Sequence, residues 1–123
     1  MKENFQERTD KAKALINNAE CILIGGGAGL SAAAGLTYSG ERFTANFADF
    51  IRKYGMKDMY SAGFYPFETQ EEKWAYWSRH ILLNRFLPPA LPLYKGLFAL
   101  VKDKGHFVLT TNVDGQFYKA GFV

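Results

Sequence analysis

The chain has 123 residues, 48% of them hydrophobic, with 11 Phe, 7 Tyr, a net charge of +3 and a pI near 9.0. That much apolar side chain buries the core of one domain at most and excludes a disordered tail. The charge is mild, and the one tight basic cluster, Lys102 to Lys104, is broken by Asp103, so no basic stripe with interleaved aromatics marks a nucleic-acid surface.

In chain order, residues 3–19 carry Ala12, Leu15, Ile16 and Ala19 on one face at helical spacing, which predicts an amphipathic lead-in helix. No basic leader opens onto an apolar segment there, and no apolar run approaches ~18 residues, so neither a signal peptide nor a membrane span is expected. Cys21 to Ile24 is short, apolar and branched, and predicts a buried strand over 21–25. Its lone cysteine has no partner in the chain and fits a reducing compartment, so a soluble, cytoplasmic protein is expected. A glycine turn follows, then "LSAAAGL", whose alanines favour a helix packed closely on a sheet. "TYSGERFTA", 37–45, is polar and glycine-broken and predicts a mobile loop able to close over a ligand.

Residues 46–87 change character. Two helical patterns, on Phe47, Phe50, Ile51 and Tyr54 and on Trp74, Trp77, Ile81 and Leu82, flank the aromatic, turn-prone "MKDMYSAGFYPF". This reads as an inserted helical subdomain whose aromatics form core or one wall of a cleft. After "LPPALP", a helix is predicted over 93–103, ended by Gly105, and "HFVLTTN" predicts a second buried strand running into Asn112 and Asp114. "DGQFYKAGFV" begins a helix beside it. The order implies a three-layer α/β domain with a parallel sheet, divided as 1–45, 46–87 and 88–123. Both polar motifs lie at the carboxyl ends of the strands, where such sheets bind ligands.

Glycines between strand and helix turn the chain tightly and let backbone approach a ligand, and the helix that follows favours phosphate. "GGGAGLSAAAG" lacks the third glycine of a dinucleotide fingerprint and the Lys-Ser/Thr of a P-loop. A turn needed only for packing is the alternative. Asn112 and Asp114, two apart at a strand end, can face one pocket and hold a carboxamide or ribose hydroxyls, or simply form a turn. A dehydrogenase is disfavoured, since no acidic residue stands in a second strand about 20 residues on.

"GAGLSAAAGL", 27–36, with "TTNVDGQFYKAG", 110–121, resembles the paired signatures of the sirtuins, GAGxSxxSGI and TQNIDxLHxxAG. The resemblance spans most of the chain. It implies a Rossmann-like domain with a smaller inserted module, and NAD consumed as a substrate. Gly27, Ala28, Gly29 and Ser31 would line phosphates and ribose, with Arg42 and Thr110 in the same cofactor-binding set. Asn112 and Asp114 would lie at the nicotinamide ribose and carboxamide. The chain departs from the family at "GLTYSGERF", where the usual PDFR is missing and Arg42 stands two positions late, and at Thr111, Gln116 and Phe117. With "NFADFI" and "WAYWSRHILLNR", these changes look like the macrodomain-linked branch called class M, associated with ADP-ribosylation of a lipoyl-carrier protein.

On the family pattern the catalytic His, any zinc cysteines and the adenosine-reading motifs would fall beyond Val123, so the chain reads as the N-terminal portion of a longer protein. His80 reads as a helix residue of the insertion and His106 as the far end of a strand, and neither stands in for that His. Three functions follow: a protein mono-ADP-ribosyltransferase with a lipoylated carrier as substrate and a macrodomain protein as partner, an NAD-dependent lysine deacylase, or a catalytically incomplete NAD-binding fragment. No metal ligand is assigned.

Overall fold

The computed structural model describes residues 4–123. Glu3, where the predicted lead-in helix begins, lies outside the described residues, as do the first residues of the segment 1–45. Helix α1, Phe5–Asn18, starts at a capping box in which Asn4 accepts from the Glu7 amide and Glu7 accepts from the Asn4 amide. Its predicted apolar face is not covered: no residue of α1 is buried and Leu15 is 74% exposed. The helix is tied at its end instead, where Lys104 Nζ donates to the carbonyls of Asn17 and Ala19.

Strand β1, Cys21–Gly26, pairs in parallel with β2, Gly105–Thr110, in a register that sets Ile22 opposite His106, Ile24 opposite Val108 and Gly26 opposite Thr110. Alternation then splits the sheet into two faces. Ile22, Ile24 and Val108 turn inward onto α2, Ala28–Ala33, α7, Pro92–Val101, and α8, Gln116–Ala120. Tyr94, Val101, Phe117 and Phe122 fill that core. Leu23, Phe107 and Leu109 turn outward and stay 63–66% exposed. The chain is α/β with a parallel sheet, consistent with a small Rossmann-like fragment.

The remaining elements are α3, Glu41–Asn46, α4, Ala48–Tyr54, α5, Met59–Ala62, and α6, Gln70–Ile81, which runs on into a π-helical turn at Leu82–Phe86. Phe43, Phe47, Phe50, Met59 and Tyr76 form a second core with no residue in common with the first. Two expectations are corrected here. The stretch 37–45 is not a free loop: Gly40, at φ 68°, turns the chain into α3, and Phe43 is locked in the aromatic core at 1% exposure. On α6 the buried face carries Tyr76 and His80, while Trp74 and Leu82 are exposed. Apolar spacing missed that face because its polar atoms are buried and satisfied by hydrogen bonds.

A polar seam joins the two cores. Arg85 donates to the Val113 carbonyl, Lys119 Nζ donates to the carbonyls of Arg85 and Pro88, and the fully buried Gln116 donates to Pro89 O while accepting from the Leu91 amide.

Candidate functional site

The parallel register brings the ends of β1 and β2 side by side, so the glycine turn and residues 110–114 share one mouth. The glycines of the turn differ in what a side chain would meet. A Cβ on Gly26 would lie 2.8 Å from Phe117 Cζ, so this glycine lets α8 pack under the strand end. A Cβ on Gly27 or Gly29 would meet nothing within 4 Å. Gly26 is thus a packing glycine, whereas the next two open onto free space.

Gly29, but not Gly27, lines a cavity of about 610 Å³. Ala28, Gly29, Ser31, Asn112 and Asp114 make its polar floor; Tyr38, Met59, Tyr60, Phe64, Trp77 and His80 make a largely aromatic wall. Both sequence motifs therefore face one cavity, and residues between Tyr38 and His80 supply its opposite side.

The floor is held by a connected set of hydrogen bonds. Ser31 Oγ lies 2.5 Å from Asp114 Oδ2, 2.6 Å from the Tyr94 hydroxyl and 3.3 Å from Asn112 Nδ2. Since the serine gives its one proton to the carboxylate, the tyrosine hydroxyl and the amide both donate to it. Asp114 Oδ1 accepts from the Gln116 amide at 2.9 Å, which fixes both carboxylate oxygens. Asn112 Nδ2 also donates to Gly27 O at 2.8 Å, so its Oδ1 has no hydrogen-bond partner among the described residues. Thr110 Oγ1 donates to Gly26 O and accepts from the Asn112 amide. It braces the turn from outside the cavity lining.

Arg42 is likewise away from the cavity lining. Its guanidinium donates to Thr37 O, Leu83 O and Asn84 Oδ1, at 2.7–2.9 Å, and so ties α3 to the π-helical turn. Burial holds its pKa below the ordinary arginine value. The fork is thus occupied by its own chain, not turned to the cavity where the resemblance would have Arg42 help hold the cofactor.

Sequence reasoning passed over Tyr94 and Tyr38 and set His80 aside. Tyr94, fully buried, anchors Ser31, yet in sequence it is only an aromatic in the first turn of a helix. Tyr38 lies at the cavity wall, with burial first and the Asp114 charge second raising its pKa. His80 faces the cavity although its pattern reads as an ordinary helix position. Among the described residues no group of His, Cys, Asp and Glu is arranged to hold a metal ion. No described helix is long and apolar enough to cross a membrane.

No protein-family model matches the chain. The chain is 44% identical over 121 residues to a Staphylococcus aureus strain Mu50 protein named "Protein ADP-ribosyltransferase", a match covering 96% of this chain and 38% of that protein. It is 34% identical over 115 residues to a Fusarium oxysporum f. sp. cubense protein named "Probable bifunctional ADP-ribose hydrolase/ADP-ribosyltransferase", covering 90% of this chain and 19% of that protein. The chain therefore spans well under half the length of each. A bacterial and a fungal protein, both named for ADP-ribosyl transfer, are thus similar to this chain over nearly all of it.

Proposed function

We propose that this chain forms the NAD-binding part of a sirtuin-type protein mono-ADP-ribosyltransferase, which cleaves NAD to nicotinamide and modifies a lipoyl-carrier protein. One observation carries the reading: Ser31 of the glycine turn is hydrogen-bonded to Asp114 and Asn112 of the second motif at the floor of one cavity. The names of the two relatives point to the same reaction.

The residues present fit a dinucleotide. The open space beside Gly27 and Gly29, next to the cavity that Ala28 and Gly29 line, leaves room for phosphate oxygens where a larger side chain would intrude. When bound, NAD supplies the ADP-ribosyl group and nicotinamide as the leaving group. Asn112, held through its amide nitrogen, presents an acceptor oxygen suited to ribose hydroxyls. Asp114 accepts a hydrogen bond from the carboxamide on its remaining lone pairs, and Ser31 acts through its hold on both. Opposite that floor stands the aromatic wall, in which Tyr60 and Phe64 remain 67% and 74% exposed. The same apolar wall suits the alkyl arm of a lipoylated lysine. A macrodomain-type ADP-ribose hydrolase is the fitting partner, since the Fusarium relative's name couples both activities.

The test incubates the full-length protein with NAD, a lipoylated carrier protein and an acyl-lysine peptide, and follows mass. Gain of one ADP-ribose on the carrier with the peptide untouched is expected. Loss of the acyl group, with acyl-ADP-ribose released, replaces the reading with a deacylase.

A further inference from the structure

His80 is 8% exposed and sits in the cavity wall among the rings of Tyr38, Tyr76 and Trp77, at centroid distances of 5.0–5.7 Å. Its Nδ1 lies 3.1 Å from the Tyr76 hydroxyl. That hydroxyl gives its single proton to the Met59 carbonyl, at 2.6 Å, so toward His80 it can only accept. Nδ1 therefore carries the imidazole proton. In a neutral ring Nε2 is then a bare lone pair. Among the described residues nothing hydrogen-bonds to Nε2, yet no buried side-chain nitrogen or oxygen is left without a partner. Nε2 is therefore not fully buried, and the open space that the ring lines is the cavity.

From this geometry we infer that His80 is the proton-accepting residue of the site, presenting an unprotonated Nε2 to a hydroxyl, thiol or amine that enters opposite Asn112 and Asp114. The inference rests on the proposed ADP-ribosyl transfer. In that step the acceptor atom bonds to the ribose carbon as the nicotinamide nitrogen leaves with the electron pair of the broken bond. The acceptor's proton passes to Nε2 and from there to water.

The surroundings keep the ring ready to take a proton. Burial lowers the His80 pKa, and the Arg42 guanidinium from α3 lowers it further. Tyr38, before α3, and Tyr76, on α6, face the ring as neutral phenols, since burial raises both their pKa values. From the π-helical turn, Asn84 fixes the His80 carbonyl at 2.9 Å and accepts from Arg42. The two motifs opposite contribute Asp114 as the facing charge.

The first test needs no turnover. Nitrogen-15 NMR of the histidines in the full chain should show His80 as the Nδ1–H tautomer titrating below the ordinary 6.5. An Nε2–H tautomer or an ordinary midpoint overturns the inference. The second test compares His80→Gln and His80→Phe with wild type in single-turnover ADP-ribosylation across pH. Both variants should bind NAD within about twofold of wild type, lose about 100-fold in transfer and lose the acid limb of the pH profile. An unchanged rate and limb in correctly folded variants overturns the role of His80 while leaving ADP-ribosyl transfer standing. Absence of transfer by wild type on any acceptor overturns the functional reading instead, and the tautomer then decides the state of His80 separately.

Discussion

Ser31 and Asp114, 83 positions apart, are joined by a 2.5 Å hydrogen bond from the serine hydroxyl to carboxylate Oδ2. The bond spans the two strand ends and makes one unit of two motifs that the sequence separates by a whole helical module. Ser31 Oγ also accepts from Tyr94 and Asn112, so a single hydroxyl orders the cavity floor.

Tyr94→Phe keeps the ring and removes only the donor to Ser31, and should cost about 0.5–1.5 kcal/mol by denaturant unfolding. Ser31→Ala strands both the Tyr94 hydroxyl and Asp114 Oδ2, and should cost about 1–3 kcal/mol. The double variant should lose less than the sum by at least about 0.5 kcal/mol, because the two act on one network. Strict additivity would mean the three groups are not coupled.

The glycines should separate by role. Gly26→Ala drives a methyl into the Phe117 ring and should destabilise by about 1–3 kcal/mol. Gly29→Ala should leave stability within about 0.5 kcal/mol. Gly29→Val should weaken NAD binding about tenfold or more by calorimetry. Unaltered NAD affinity would remove the turn from the ligand's path.

Asp114→Asn keeps an oxygen for the Gln116 amide but loses the carboxylate. Nicotinamide release should fall about 100-fold while the circular dichroism spectrum stays that of wild type. Unchanged turnover would take Asp114 out of the reaction.

Arg42→Ala should act on stability first, losing about 2–4 kcal/mol as the acceptors at Thr37, Leu83 and Asn84 lose their charged donor. NAD affinity of the folded fraction should stay within about twofold, and the His80 midpoint should rise toward its ordinary value as the neighbouring charge disappears. A large loss of affinity in a stable variant would restore Arg42 as a ligand contact.

Stability should depend on pH through His80. Its folded-state pKa lies below the unfolded 6.5, so the unfolded chain binds the proton first. The contribution is complete above about pH 6.5, shrinks as pH falls toward the folded value and is gone below it. His80→Phe should flatten this slope, measured as denaturation midpoint against pH. Asp49, whose carboxyl is lowered chiefly by Arg79, and Asp58, lowered by the Ser61 amide, act only at more acid pH.

The strands were legible because β-branched runs ending in glycine or polar turns have few other uses, and their parallel pairing followed from helices lying between them. The glycine turn and Asn112 and Asp114 stood out by residue type. Their connection did not, because Tyr94 reaches Ser31 from a helix whose pattern is that of any core-facing helix. His80 was missed for the related reason that apolar counting picks Trp74 and Leu82, whereas the buried side of α6 is chosen by what Tyr76 and His80 can hydrogen-bond. The stretch 37–45 reads as a loop from its polar composition, but one residue, Phe43, is enough to pin it.

The two cores meet along carbonyls gripped by Arg85, Lys119 and Gln116 and share no buried side chain. Such a boundary is exact in geometry but thin in cohesion, so the cavity between the two cores should open more readily than either core melts. Amide protons within each core should outlast those along 85–91 in deuterium exchange. A molecule bridging floor and wall would then act as a rivet, slowing exchange along 85–91 far more than inside either core.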